Sequence, residues 1–237
     1  MSASGATGEV PSARPMTRFQ SSKLYDVGAV APLVLWYGLS IWGLAPKIAA
    51  ECAQLRASFT PDTAMEVASE ATTLAFLGLQ IVLFLIRRLP QAKAPGVAPR
   101  LAAVVGSNLQ LAFLALPRAA ASLPVAAVAI ALVAIGTIGS IAAASWLGRS
   151  FSIFPQARRL VVSGPYRIVR HPLYLAEQIA TLGVALQYAQ PWALLIGAAS
   201  FAAQFPRMHY EEKVLAETYP AYAQYAARTR RLIPCLY

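Results

Sequence analysis

The chain reads as an all-α, polytopic membrane protein with about six transmembrane helices, the last two forming a hairpin. Three observations point there. Of its 237 residues, 57% are hydrophobic and only 13% charged, with a mean hydropathy of +0.53, a composition that no ordinary soluble domain has. Apolar runs recur at close to the roughly 20 residues that cross a bilayer. The basic residues are not scattered but gathered in alternate connections between those runs.

Residues 1–26 are rich in Ser, Ala and Pro and lack an apolar h-region, so they are expected to be a disordered tail rather than a cleavable signal. The first span is expected at 27–46, closed by Pro46 and Lys47, followed by a polar loop with Glu51, Arg56 and Asp62. The second, 64–86, stops at Arg87-Arg88, and Glu66 and Glu70 share a face near its outer end, most simply a wetted one. Residues 87–100 form a basic loop with Pro90, Pro95 and Pro99. The third span, 101–116, is short and broken by Pro117, with Asn108 and Gln110 as helix–helix hydrogen bonders. The fourth, 125–147, carries Gly136 and Gly139 as small contact residues. Together 27–147 form an N-terminal transmembrane region.

The remainder, 148–237, is expected to hold the functional site. The connection 148–171 is long, and Phe151, Phe154, Leu160, Val161 and Val162 make it too apolar for a disordered linker. Two apolar stretches, 172–188 and 192–205, flank Gln190-Pro191 and read as the helical hairpin. Pro206 is expected to kink or end its second helix. Residues 207–225 keep helical periodicity but are polar and should leave the bilayer.

Lysine and arginine set the orientation. With the N-terminus inside, the tail, 87–100, 148–171 and 206–237 carry 17 of the 20 basic residues, and only Lys47, Arg56 and Arg118 lie outside. Both termini are therefore expected on the cytoplasmic side of a bacterial inner membrane. The same count explains the formal net charge of +10 by membrane topology, so no nucleic-acid partner is implied. Cys52 and Cys235 stand far apart, and no cluster with metal-ligand spacing is visible.

The densest chemistry lies at Gly164–Tyr174, where two arginines, a histidine, two tyrosines and two prolines crowd the mouth of the first hairpin helix. Polar groups there are costly unless they face water or bind something. Pro172 suits the first helical position, and the free N–H groups of that turn, beside Arg167 and Arg170, favour an anionic group. A basic flank anchoring the helix to headgroups is the plainer account of the arginines, though not of Gly-Pro-Tyr and His-Pro-x-Tyr. A second polar cluster, 207–215, follows the last apolar stretch and so emerges on the same side. Within it Arg207 and Glu211 are four apart, which by itself implies no more than a surface ion pair, and His209 reads as interfacial.

Gly164-Pro165-Tyr166, Arg170-His171-Pro172-x-Tyr174, Glu211-Glu212-x-x-Leu215, Tyr222-x-x-Tyr225 and Ile233-Pro234 together resemble the isoprenylcysteine carboxyl methyltransferase and phospholipid N-methyltransferase group of integral-membrane enzymes. The resemblance covers roughly 145–237. It implies an all-helical fold with a cytoplasmic pocket for S-adenosylmethionine, cofactor contacts at His171, Pro172, Tyr174, Glu211 and Glu212, and a functional Arg207. The residues suit that ligand. Arg170 with the helix start suits its carboxylate, and Glu211 or Glu212 its ammonium or ribose hydroxyls. Tyr166, Tyr174 and Tyr222 can pack on adenine or face the sulfonium. The expected catalytic residues are Arg207 and Glu211. The acceptor is expected to be a lipid-like or prenylated small molecule reached from the surrounding membrane lipids, either a carboxylate or an amine; the rival reading is a non-catalytic membrane scaffold. The chain departs from the pattern in its shorter Tyr219-Pro220-Ala221-Tyr222, in Cys235 after Ile-Pro, and in Glu177 within the hairpin helix. No Gly-x-Gly-x-x-Gly follows a strand, so the soluble dinucleotide-type site is not implied.

Overall fold

The computed structural model describes residues 22–58, 61–117, 122–188 and 190–234. The expected tail through residue 21, Arg118 and Cys235 lie outside them, and so does the Glu66 side chain. Among the described residues the fold is helical except for one short strand pair, as the sequence predicts.

The expected tail extends too far. Lys23–Gly28 is a short helix, α1, opened by Ser22, whose hydroxyl accepts from the Tyr25 N–H at 3.2 Å. Its Asp26 is 1% exposed and takes Arg87 Nε at 2.8 Å and Arg158 Nη2 at 2.7 Å. Burial opposes ionisation of Asp26, but the two guanidinium groups outweigh it and hold the carboxyl below its ordinary value. Composition cannot reveal an anchor whose partners lie 61 and 132 residues away.

The first long helix, α2 (Ala31–Ala57), runs through Pro46 instead of ending there. Proline removes one N–H bond, but residues 48–57 are mostly good helix formers and carry the helix onward. Glu51 and Arg56 are thus helical, not in a loop. Lys47 pairs with Glu51 one turn away at 3.4 Å and with Glu70 on α3 (Pro61–Ile86). Glu70 is therefore an interhelical partner and not only a wetted residue.

Beyond α3, Ala92–Lys93 (β1) pairs antiparallel with Gln156–Ala157 (β2). Helix α4 (Ala98–Asn108) tightens into a 3₁₀ turn, Leu109–Ala115, before Pro117. Gln110 bonds across helices to the Thr181 hydroxyl at 3.1 Å, whereas Asn108 bonds back to its own Val104 carbonyl at 2.8 Å. Helix α5 (Leu123–Leu147) crosses α6 (Pro172–Gln187) almost backbone to backbone. A Cβ on Gly136 would stand 2.3 Å from Ala180 N, and one on Gly183 would stand 2.6 Å from the Ala129 carbonyl oxygen. Only glycine permits that approach.

The second hairpin helix, α7 (Pro191–Thr218), also continues through its proline. Gln204, Arg207 and Met208 are all buried, so one inward face carries across Pro206 and joins the apolar and polar parts. A last helix, α8 (Tyr222–Arg228), lies beyond it.

Two helical stretches, Ala31–Ala57 and Pro124–Ser150, have the length and apolar composition to cross a membrane. The apolar part of α3, Thr73–Ile86, is shorter, so that measure gives two full spans among the described residues where about six were expected. Helix α2 buries no side chain and presents Leu35, Leu39 and Trp42 outward. The main core lies at the opposite end of α3 from Glu70, where Leu83, Phe84, Phe151, Leu173, Tyr174 and Met208 pack together. The basic segments meet at this end. Lys23 Nζ donates to the Arg87 carbonyl at 2.5 Å, and Arg149 Nε to that of Ile86 at 3.1 Å. The Arg170 and His171 N–H groups donate to the carbonyls of Arg230 and Arg231 at 2.7 and 2.9 Å.

Candidate functional site

The Gly164 turn sets the site. Its φ is +61°, and a Cβ there would fall 2.1 Å from the Trp146 ring, so the position requires glycine on both counts. The 3₁₀ turn Gly164–Arg167 then buries Tyr166, and Val169 bridges in parallel to Arg230. Pro172 opens α6 at its first position, as expected, with His171 as the residue before it. His171 and Tyr174 stack at 5.1 Å with 4° between their planes.

Glu212 is the electrostatic centre. Its Oε1 accepts from Arg170 Nε at 2.9 Å and lies 3.0 Å from His171 Nε2, while Oε2 accepts from Arg231 Nε at 3.0 Å. Burial works against its charge, but His171, Arg170 and Arg231 outweigh it and hold the carboxyl down at about 2. Glu211 faces the other way and accepts a 2.5 Å hydrogen bond from Tyr174 Oη.

These groups border two cavities. The first is a narrow cleft of about 50 Å³, lined by Tyr166, Arg170, His171, Glu211, Tyr222 and Tyr225. Tyr225 Oη donates to the Tyr166 carbonyl at 2.6 Å, whereas Tyr222 Oη is buried with no hydrogen-bond partner among the described residues. Burial raises the pKa of Tyr222 well above the ordinary phenol range and that of Tyr225 to about 12, so both remain neutral donors near neutral pH.

The second cavity, about 420 Å³, opens among α2, α3, α5, α6 and α7, with Tyr37, Phe76, Gln110, Glu177 and Arg207 in its wall. Arg207 is 3% exposed and lies over the Tyr174 ring at 4.3 Å. Among the described residues its ion partner is not Glu211 on its own helix but Glu177 on α6, at 3.8 Å. Arg207 Nη1 donates to Gln204 Oε1 at 3.4 Å, and Arg207 Nε has no hydrogen-bond partner among the described residues. Tyr174 thus touches a lining residue of each cavity, with its hydroxyl on Glu211 of the cleft and its ring against Arg207 of the larger cavity.

Of the expected residues, Tyr166, Arg170, His171, Glu211 and Tyr222 line the cleft, and Tyr174 and Glu212 stand directly behind it. Arg207 belongs to the second cavity. Arg170 was expected to face a ligand carboxylate, yet it is engaged by Glu212 and by the Ala226 carbonyl at 2.8 Å. His209 is exposed, as an interfacial residue should be. Sequence reasoning missed Arg231 and gave Tyr225 no role; the basic pair just before Ile233-Pro234 was the available signal.

Residues 124–222 match the phospholipid methyltransferase family. That part of the chain is similar to this family over its whole matched length. The matched segment begins in α5 and ends at Tyr222, so it includes the α5–α6 crossing, Arg207 and all of the cleft except Tyr225. The chain is also similar to the cobalt-zinc-cadmium resistance protein CzcN of Cupriavidus metallidurans, 36% identical over 78 residues, or 32% of this chain and 36% of that protein. It is 30% identical over 82 residues to the nickel-cobalt-cadmium resistance protein NccN of Alcaligenes xylosoxydans xylosoxydans, or 34% of this chain and 38% of that protein. The chain thus spans little more than a third of the length of these curated relatives. The matched family is one of methyltransferases, and two described helices have the length and apolar composition to cross a membrane. Among the described residues no group of three or more His, Cys, Asp and Glu side chains gathers to hold a metal.

Proposed function

We propose that the protein is an integral-membrane methyltransferase that takes S-adenosylmethionine in the cleft and a lipid-like acceptor in the larger cavity. In this reading the chain crosses a bacterial inner membrane about six times, with both termini and the cleft cytoplasmic. The observation that carries it is that Tyr174 touches Glu211 of the cleft through its hydroxyl and Arg207 of the larger cavity through its ring, within a segment that matches a family of methyltransferases.

The donor set suits the cofactor. Tyr222 Oη is a buried group awaiting a partner, and Glu211 has an oxygen not engaged by Tyr174 for an ammonium or ribose hydroxyl. Glu212 is assigned a framing role, holding Arg170, His171 and Arg231 in place. The cleft as it stands admits only a water or two, at about 30 Å³ each. A nucleoside therefore requires the segment with Ser152, Phe154 and Leu160 to move aside. When bound, the cofactor supplies an electrophilic methyl group on a sulfonium. The protein's work is to position an acceptor atom against that methyl and to exclude water.

A carboxylate acceptor is the reading supported by Arg207, whose unpartnered Nε is a buried donor at the cavity wall. An amine acceptor is supported by Glu177, which presents a carboxylate there. Methyl transfer to a prenylcysteine analogue and to a phospholipid amine, by wild type and Arg207→Lys, separates them. With a carboxylate acceptor, Arg207→Lys binds cofactor almost normally and transfers slowly, because lysine lacks the two-point geometry. Activity equal to wild type on the carboxylate removes Arg207 from the catalytic role.

A further inference from the structure

Gln80 is the one amide in the apolar stretch Thr73–Ile86 of α3. It is 6% exposed and lines the larger cavity. Phe76 stands one turn before it in the same cavity wall, and the fully buried Phe84 one turn after, so Gln80 interrupts an inward face that is otherwise aromatic. Other polar groups of that wall are bonded within their own helices. The Ser40 and Thr137 hydroxyls donate to the carbonyls of Trp36 and Val133 at 2.8 and 2.7 Å, and Asn108 Nδ2 donates to that of Val104 at 2.8 Å. The Gln80 amide has no hydrogen-bond partner among the described residues. A buried amide without a partner costs stability that an apolar side chain between Phe76 and Phe84 would not. In an apolar helix of a membrane protein, such a group facing a cavity points to a ligand.

We infer that Gln80 is a specificity-determining residue of the acceptor site, and that its side chain pairs with a neutral amide in the acceptor, set back from the atom that receives the methyl group. This rests on the reading that the larger cavity takes the acceptor. The charged residues in the cavity wall are Arg207 and Glu177, 3.8 Å apart, and they meet the acceptor's charged head. Gln80 carries no charge, so it selects a neutral group. Its carbonyl accepts and its NH₂ donates, and an amide on the ligand returns both bonds. A run of plain methylenes at that point leaves the Gln80 amide unpaired and is disfavoured. The substrate class is therefore an amphiphile whose charged head is joined to its apolar chain through an amide linkage.

The test is independent of any methyl transfer. Two pairs of probes are matched in length and charge and differ in the amide: N-lauroylglycine with pentadecanoate, and N-(2-aminoethyl)lauramide with pentadecylamine. The full chain, purified in mild detergent, receives equal amounts of the two members of a pair, and bound molecules are counted by native mass spectrometry. Both charges are offered, so the outcome does not depend on whether the acceptor is a carboxylate or an amine. Wild type should favour the amide member of the pair it binds by about tenfold, the net worth of a pair of neutral hydrogen bonds. Gln80→Leu should bind both members about equally. Its ligand-free melting temperature should be no lower than that of wild type, because an unpaired amide has been replaced by an apolar group. A preference that persists in Gln80→Leu, or that is absent from a wild type that binds the pair, overturns the inference and leaves the larger cavity as the acceptor site. So does a lowered melting temperature in Gln80→Leu, which would make the amide a structural bond. A chain that binds S-adenosylmethionine but none of the four amphiphiles removes the acceptor from the larger cavity, and the inference falls with that reading.

Discussion

Glu212→Gln is the sharpest perturbation of the cleft's framework. The substitution keeps the side chain's shape and removes the charge that Arg170, His171 and Arg231 share. The magnitude follows from the carboxyl's depression from 4.5 to about 2 in the fold, which corresponds to about 3 kcal/mol. Arg231 is 30% exposed, so solvent screens part of this, and a loss of about 2–3 kcal/mol is expected. In a chain of this size that lowers the melting temperature by about 4–12 °C. The pH dependence has a definite sign. Glu212 is ionised in the fold down to about pH 2 but protonates near 4.5 when unfolded, so its contribution is complete above about pH 5 and fades between pH 5 and 2. Thermal melts in detergent at pH 7 and pH 3 are the assay. The gap between wild type and variant should fall by more than half at pH 3. A gap that is absent at pH 7, or as large at pH 3, refutes the assignment of Glu212 as the ionic centre.

Two further substitutions test the frame. Gly136→Ala should destabilise by about 1–3 kcal/mol, because its Cβ meets the Ala180 backbone at 2.3 Å, whereas Gly38→Ala, with nothing within 4 Å, should be neutral or slightly stabilising in the same melts. Asp26→Asn should cost about 3–5 kcal/mol by leaving Arg87 and Arg158 buried with no counter-charge, measured as a lowered unfolding midpoint. An Asp26→Asn midpoint equal to wild type would show that α1 does not pin the basic end.

The helical class and the clustering of the basic segments were legible in the sequence because both are recorded in composition and spacing. The meeting of Arg170-His171-Pro172 with Glu211-Glu212 was legible for a topological reason: a hairpin returns its two ends to the same level. The helix end expected at Pro46 was misjudged because proline removes only one backbone hydrogen bond, while the packing of the helix face decides whether the helix continues; at Pro206, where a kink or an end was expected, the helix does not end. The partners of Asp26, Glu212 and Arg207 were not legible, since each is chosen by tertiary contact. Arg207 shows this best: the i,i+4 rule offered Glu211, but the fold supplies Glu177 from α6.

The proposed cofactor site is framed by His171 and Glu211. Equilibrium binding of labelled S-adenosylmethionine to the purified full chain tests it most directly. Wild type should bind saturably, and His171→Ala and Glu211→Ala should each weaken binding about tenfold to a hundredfold while the helical circular dichroism is retained, as loss of a charged hydrogen-bond partner predicts. Cofactor affinity unchanged in both variants would contradict the claim.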